Sequence, residues 1–301
     1  MAQIREIKTR MKAVANIRRI TKTMQMIATS KFARAQTAAV AARPFTEGVF
    51  DLVREVGSKA GDVQHPLITG VKGAENKPEL LLVLVSDRGL CGAYNGNILR
   101  TAMKHIRSEG STSRHQPRVE LSGKKALSFM RFAGVDTARN HTQFGDKPRR
   151  EDVDRLADEY MAMFTAGEVS AVRVVYMRFI SAGKQVPETL QLLPLRAPDT
   201  AENGAASASG AKGSMVAVYE FSPPAPELLA ELLPVAARAT LNQCFNDAVL
   251  SEHVSRMVAM KAATDNATKM GKLLTRTYNR ARQARITTEL TEIISGAAAL
   301  E

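Results

Sequence analysis

The sequence predicts an α/β protein: a long antiparallel coiled coil of the N- and C-terminal helices plus a central Rossmann-like α/β domain. Three observations predict it. Residues Ala2–Arg43 contain neither glycine nor proline and carry apolar residues at steps of three and four. Residues Val235–Glu301 contain no proline, reach their first glycine at Gly271 and are dominated by strong helix formers. As one helix at ~1.5 Å per residue that stretch would be on the order of 100 Å long, which demands a partner along its length. Between the two ends, strand-like apolar runs alternate with amphipathic helical ones, the order of an α/β domain.

In the N-terminal stretch the apolar stripe runs through Ile4, Ile7, Met11, Val14, Ile17, Ile20, Met24 and Ile27, and continues in smaller residues as Phe32, Ala35 and Ala38. One narrow seam with a basic back face is the pattern of a coiled-coil strand. Threes outnumber fours among the steps, which predicts local overwinding rather than a regular supercoil. Pro44 bars an uninterrupted ladder, so a kinked helix is expected to run on to about Val56. A mitochondrial transit peptide shares the basic, acid-poor composition, but this pattern continues well past the length of one.

Residues Gly57–Pro78 read as a loop. The continuous apolar run Leu80–Ser86 reads as a strand buried on both faces and central in a sheet. Ser86–Gly96 (SDRGLCGAYNG) is a glycine-punctuated turn. Helices are expected over Ile98–Arg107, Lys124–Ala133 and Asp152–Phe164, and strands over Val119–Ser122 and Ala171–Ile180, with Glu188–Leu195 paired to the latter. Met215–Phe221 reads as a last strand, after a Gly-, Ser- and Ala-rich surface loop at Ala197–Ser214. Ser222–Pro226 is a rigid exit, and Pro234 is expected to kink or delay the final helix. The domain division is an N-terminal coiled-coil helix at 1–57, an α/β foot domain at 78–222 with its flexible loop at 197–214, and a C-terminal coiled-coil helix at 226–301.

Composition supports this layout. Tryptophan is absent, aromatics make up 5%, and thirteen methionines are present, which suits thin helix–helix seams. The net charge of +12 sits at the two ends. Nine basic residues face Glu6 alone in Met1–Arg34, and eight face Asp265 alone in Arg256–Arg285, so the remainder is slightly acidic. Such ends seek an acidic partner: nucleic acid, anionic lipid or an acidic protein surface. Cys91 and Cys244 lack C-x-x-C spacing and read as reduced thiols in a cytosolic-type compartment. No apolar run reaches the ~18–20 residues of a membrane span, and no secretory signal is evident.

A search for reaction chemistry returns no catalytic, cofactor-binding or metal site. The G-x-x-G-x-x-x-G spacing at Gly89, Gly92 and Gly96 fits neither the dinucleotide fingerprint nor the P-loop, and is better explained as a tight strand-to-helix turn. His65, His105, His115, His141 and His253 form no ligand motif, and no G-x-S-x-G elbow occurs.

Several stretches resemble, in order, the gamma subunit of F-type ATP synthases: IRRITKTMQMIATSKFARAQ at Ile17–Gln36, SDRGLCGAYN at Ser86–Asn95, RMVAMKAATDNA at Arg256–Ala267 and YNRARQARITTELTEIISGAAAL at Tyr278–Leu300. The resemblance spans the chain. The chloroplast members' cysteine-bearing insertion is missing, so thiol control is not expected. The resemblance implies a non-catalytic central rotor. Its coil would turn inside a ring of alpha and beta subunits, and its foot would bind the epsilon subunit and rest on the membrane c-ring. It would lie peripherally on the cytoplasmic face of a bacterial inner membrane. Carried over by position, Lys22 and Met24 match the N-helix region facing the acidic lever loop of beta, and Arg282, Gln283, Thr287 and Glu289 the corresponding C-helix region. Asp87, Arg88, Tyr219 and Glu220 match the foot segments toward the c-ring and epsilon. From spacing alone Met24 is a seam residue and Arg282 a solvated charge. The alternative function, a basic coiled-coil nucleic-acid binder, predicts steeply salt-dependent DNA binding but finds no interleaved aromatics and no reader motif.

Overall fold

The computed structural model describes residues 2–59, 65–71, 73–112, 116–195 and 224–298. The elements in chain order are α1 (Ala2–Lys59), α2 (Pro66–Thr69), a 3-10 turn (Ala74–Asn76), β1 (Leu80–Leu84), α3 (Tyr94–Thr112), β2 (Arg118–Ser122), α4 (Lys124–Phe132), β3 (Thr137–His141), α5 (Arg150–Thr165), β4 (Val172–Ser181), β5 (Lys184–Leu193) and α6 (Ala225–Ala298). Two compact units result. One comprises Met1–Lys31, Leu90–Gly92 and His253–Glu301; the other comprises Phe32–Gly89 and Ala93–Glu252.

The first unit is a two-helix coil. Thr21 meets Thr264 through a 2.8 Å hydrogen bond, and a Cβ placed on Gly271 would lie 4.0 Å from Val14 Cγ1. Seven residues back along α1 thus correspond to seven forward along α6, so the strands run antiparallel, as expected. Along the seam the less exposed positions are Ile4, Ile7, Met11, Val14, Thr21, Gln25 and Ala28 on α1, with Met24 beside Gln25, and Met257, Met260, Thr264, Ala267, Gly271, Leu274, Tyr278 and Ala281 on α6, with Ala259, Ala263 and Thr268 beside them. Both series alternate threes and fours with one slot skipped at the exposed Arg18, which is the heptad repeat.

This corrects the expected seam. Up to Val14 the apolar stripe and the buried seam coincide; beyond it they diverge. Ile17, Ile20 and Ile27 remain 52%, 55% and 51% exposed, while Thr21 is 9% and Ala28 1% exposed. The physical reason lies in the partner strand. α6 offers Ala267, Thr264 and Met260 in steps of three and four, and two helices wound on each other stay in contact only along a seam of period 3.5, whatever residues occupy it. Leaving each isoleucine half outside forgoes roughly half of the ~1.5–3 kcal/mol that full burial gives.

The second unit is a three-layer α/β/α arrangement. Its sheet has the order β3-β2-β1-β4-β5. β1, β2, β3 and β4 are mutually parallel and β5 returns antiparallel on β4, the parallel core with a late antiparallel strand that the sequence predicts. β1 is central and buried at all five residues. Leu80, Leu82 and Leu84, with Val172 and Val174, pack into one core with Leu156, Tyr160 and Phe164 of α5 and Leu229, Leu233, Leu241 and Phe245 of α6. α3 packs on β1, β4 and β5, and α4 on β2 and β3.

Several boundaries differ from expectation. α1 passes through Pro44 and α6 through Pro234 as single helices. A proline removes one ladder hydrogen bond but keeps helical φ, and packing nearby offsets the loss. Leu233, Ala236 and Ala237 are buried beside Pro234, and beyond Pro44, Phe45 takes the Arg150 guanidinium 5.2 Å over its ring. The expected loop at Gly57–Pro78 contains α2 and the 3-10 turn. β3 is not among the expected strands: among the described residues it pairs only with β2, and its sequence TARNH carries no apolar run. The expected strand at Met215–Phe221 and the 197–214 loop lie outside the described residues.

Candidate functional site

The glycine-punctuated turn after β1 is closed by its own side chains. The Ser86 backbone N–H donates to Asn95 Oδ1 at 3.0 Å, and Ser86 Oγ donates to the Arg88 carbonyl at 2.6 Å. Asp87 Oδ1 accepts the backbone N–H of Lys124 at 3.0 Å, placing a carboxylate at the N-terminus of α4. An anion site formed by that helix end is therefore already filled by the chain's own acid. Gly123, just before α4, has φ +105°, and a Cβ there would stand 2.1 Å from the Val85 carbonyl oxygen. Only glycine allows this close crossing.

A buried polar cluster unites β2, β3 and α5. Glu120 Oε2 accepts hydrogen bonds from His141 Nε2 at 2.8 Å and Tyr160 Oη at 2.9 Å. Arg118 stands 3.4 Å from Glu120 Oε1. Burial pushes the Glu120 carboxyl up, but the His141 and Tyr160 hydrogen bonds, reinforced by the attraction of His141 and Arg118, hold it net below its ordinary value. Burial and the Glu120 charge push the Tyr160 phenol well up. His141 packs its ring against Phe144, centroids 5.8 Å apart, and Phe144 against Phe245 of α6 at 4.7 Å. The cluster thus ties three elements of the core together. A period-2 reading of β2 shows Glu120 only as one polar residue in a short apolar strand, so its partners 21 and 40 residues onward were invisible from sequence. Burial pushes the Cys244 thiol up as well, and Cys91 and Cys244 are both buried thiols outside any disulfide, an environment that keeps thiols inert. No cluster of His, Cys, Asp and Glu suited to a metal exists among the described residues, and no described helix is long and apolar enough to cross a membrane.

The distinctive surfaces belong to the coil. With Val14 opposite Gly271 and Thr21 opposite Thr264, the level of Ile4 falls at Ala281, and the last turns of α6 pass beyond the start of α1. Every residue from Arg282 to Ala297 is exposed. Ile286, Leu290, Ile293 and Ile294 give this extension an unburied apolar side. Arg282, Gln283, Thr287 and Glu289 sit on it, exposed; Glu289 accepts from Arg285 Nε at 2.6 Å, a pair formed despite its weaker order. Lys22 is exposed and Met24 half-buried on α1. At ~1.5 Å per residue the two groups are about 30–40 Å apart along the coil, so they form two sites rather than one. Lys22 and Met24 themselves point about 160° apart around their helix, at 100° per residue. Asp87 serves as the α4 cap, Arg88 is exposed, and Tyr219 and Glu220 lie outside the described residues.

Comparison with known proteins agrees with this architecture. A family model described as ATP synthase matches residues 3–300. The ATP synthase gamma chain of Rhodopirellula baltica is 41% identical over 301 residues, covering 100% of both chains. That of Leptospira biflexa is 37% identical over 300 residues, again covering 100% of both. Among solved structures, a chain of the Euglena gracilis mitochondrial ATP synthase rotor aligns over 95% of this chain and 99% of its own, with TM-score 0.60 and 21% identity. A chain of the Tetrahymena thermophila mitochondrial ATP synthase central stalk and c-ring aligns over 81% of this chain and 99% of its own, with TM-score 0.54 and 18% identity. The paired terminal helices, the parallel sheet between them in sequence and the full-length matches together place this chain in the ATP synthase gamma chain family.

Proposed function

We propose that this chain is the central rotor shaft of an F-type ATP synthase, coupling proton flow through a membrane c-ring to ATP synthesis or hydrolysis on beta subunits. The observation that carries the reading is full-length membership of the gamma chain family, joined to an antiparallel coil whose two strands hold the chain's positive charge. The shaft performs no reaction itself. Three chemically equal sites on a ring differ only if the shaft presents a different face to each, and the coupling is reciprocal, so turnover at those sites biases the shaft angle in return. The ring of alpha and beta surrounds the coil, epsilon and the c-ring take the α/β unit through the segments around Asp87, Arg88, Tyr219 and Glu220, and the assembly sits on the cytoplasmic face of a bacterial inner membrane. Lys22 and Met24 engage the ring at one level, and Arg282, Gln283, Thr287 and Glu289 at a second one.

The test is reconstitution with alpha, beta and epsilon. A 3:3:1 complex of alpha, beta and this chain is expected, with no ATPase activity from the chain alone. In membranes, Met24→Lys adds a cation on the ring-facing surface and is expected to lower protons pumped per ATP several-fold while leaving complex yield nearly unchanged. Unchanged pumping per ATP would remove Met24 from the contact.

A further inference from the structure

Away from the two basic ends the chain is slightly acidic, yet one surface of the α/β unit is cationic. Helices α3 and α4 pack on each other and on the sheet. They bury Ile98, Leu99 and Ala102 of the one and Ala126 and Met130 of the other. Their outward sides leave a groove of about 490 Å³ between them. At 100° per residue Arg100, Met103, Lys104 and Arg107 fall within about 100° of one another around α3, so one side of that helix supplies the first wall. Phe129 and Phe132 of α4 stand in the second wall, 36% and 92% exposed. Among the described residues no acid lines the groove.

The two walls differ in chemistry. Arg100, Lys104 and Arg107 are exposed and form a row two helical turns long, about 10 Å. Arg100 is pinned along its own helix, with Nε donating to the Gly96 carbonyl at 3.1 Å and Nη2 to Asn97 Oδ1 at 2.6 Å. Neither Arg100 nor Lys104 meets a carboxylate among the described residues. A single exposed phenylalanine is ordinary on a protein surface. Phe132 is not single: with Phe129 and Met103 it gives the groove an apolar side next to the cations. A small molecule would be enclosed over most of its surface. Phe132 is too exposed to belong to such an enclosure, and only a partner that brings its own surface can cover it.

We infer that this groove docks an acidic amphipathic helix of another polypeptide, its carboxylates along Arg100, Lys104 and Arg107 and its apolar stripe on Phe129 and Phe132. The occupant follows from charge complementarity. Cations at i, i+4 and i+7 on α3 match carboxylates at the same helical spacing, and the aromatic wall matches the stripe beside them. The held Arg100 side chain lowers the ordering cost of docking, and the cationic row steers approach. The inference goes beyond the rotor reading and does not depend on it.

The probe is a labelled, stapled helical peptide with Glu at i, i+4 and i+7 and leucines along the adjacent stripe. A second peptide carries Gln in place of the leucines. Each is titrated into the full-length chain at low and moderate salt and followed by fluorescence anisotropy. The chain is compared with Phe132→Ser, with Arg100→Gln/Lys104→Gln, and with a coil control, Arg18→Gln/Arg19→Gln/Lys22→Gln. Phe132→Ser is expected to melt within a few degrees of the parent and to bind the leucine peptide at least five-fold more weakly. The Gln peptide should show the same loss on the parent. Arg100→Gln/Lys104→Gln should lose at least ten-fold at low salt and less at moderate salt, where exposed charges are screened. The coil control should stay within two-fold of the parent. Both groove variants within two-fold of the parent would overturn the inference. So would a loss confined to the coil control, which would mean plain charge attraction to the coil. A large drop in the melting temperature of Phe132→Ser would overturn it by placing that ring in the core. A chain lacking residues 197–214 that binds the peptide ten-fold more tightly would overturn it in favour of the chain's own segment. Parent binding to phosphatidylglycerol vesicles that Phe132→Ser abolishes, with no peptide bound, would overturn it in favour of a lipid surface.

Discussion

At the scale of single residues, two glycines make opposite predictions. Gly123 has φ +105° and a crossing backbone 2.1 Å from where a Cβ would go. The clashing atom is the Val85 carbonyl oxygen in the turn that follows β1, so the neighbour cannot rotate aside. Gly123→Ala is expected to lose more than about 3 kcal/mol, seen as a lower urea midpoint. Gly271 sits in the coil seam, within a helix, and a Cβ there would meet Val14 Cγ1 at 4.0 Å, ordinary contact. Gly271→Ala should gain about 0.5–1 kcal/mol by removing unfolded-state freedom and filling the seam. Glu120 makes a third, pH-dependent prediction. Its folded carboxyl lies below its ordinary value, and unfolding returns it to about 4.3. The stabilisation is therefore complete above that value and is lost as pH falls through the lower folded one. Glu120→Gln should flatten the acid limb of a stability–pH profile and destabilise the chain at neutral pH by about 3 kcal/mol, since His141 and Tyr160 keep their burial and lose their anion. An acid limb unchanged in the variant would assign acid sensitivity elsewhere.

At the scale of elements, the coil shows what one strand's sequence reveals and what it withholds. Helicity of α1 and α6 was legible because it depends on local propensity and on the absence of glycine and proline over long stretches. The seam was legible only as far as Val14, because beyond it the buried track is selected by the partner. Thr21 and Ala28 are buried by the seam's period, whereas Ile17 and Ile20 lie outside it. The same limit explains β3: among the described residues TARNH has one neighbouring strand, and it has no apolar face to advertise. β1, buried on both faces, announced itself as a continuous apolar run. Pro44 and Pro234 are local breakers, yet α1 and α6 carry on through them, in line with a first helix read to about Val56 and a last one read from 226. The seam assignment itself can be tested by adjacent substitutions. Ala28 is 1% exposed, and Ala28→Leu is expected to overpack the coil at a cost of about 1–3 kcal/mol. Ile27→Gln, one residue away and outside the seam, should leave the melting temperature of the isolated chain within a few degrees of the parent's. The reverse ranking would restore the isoleucine track as the seam.

At the scale of the whole molecule, the net charge of +12 concentrates on the segments that form the coil, while the residues between them are slightly acidic. That partition was legible from the sequence. The spacing of the candidate contacts was not, because only the register separates Lys22 and Met24 from Arg282, Gln283, Thr287 and Glu289 along the axis. The same register makes a prediction about the C-terminal extension. Pairing ends near Ile4 and Ala281, and from Arg282 to Ala297 nothing among the described residues covers α6. A chain ending at Arg285 gives up only the exposed Arg285–Glu289 pair, worth little in water, and the exposed Ile286, Leu290, Ile293 and Ile294. Its melting temperature should stay within about 2 °C of the parent, since surface changes of this kind fall within roughly 0.5 kcal/mol. In the assembled complex the loss should be felt, because an apolar tip of this size left in water is a surface built for a partner. ATP-driven pumping by the shortened chain is expected to fall several-fold with complex composition unchanged. A lowered melting temperature would mean that the tip folds back within the chain, and full pumping would mean that the ring does not hold it.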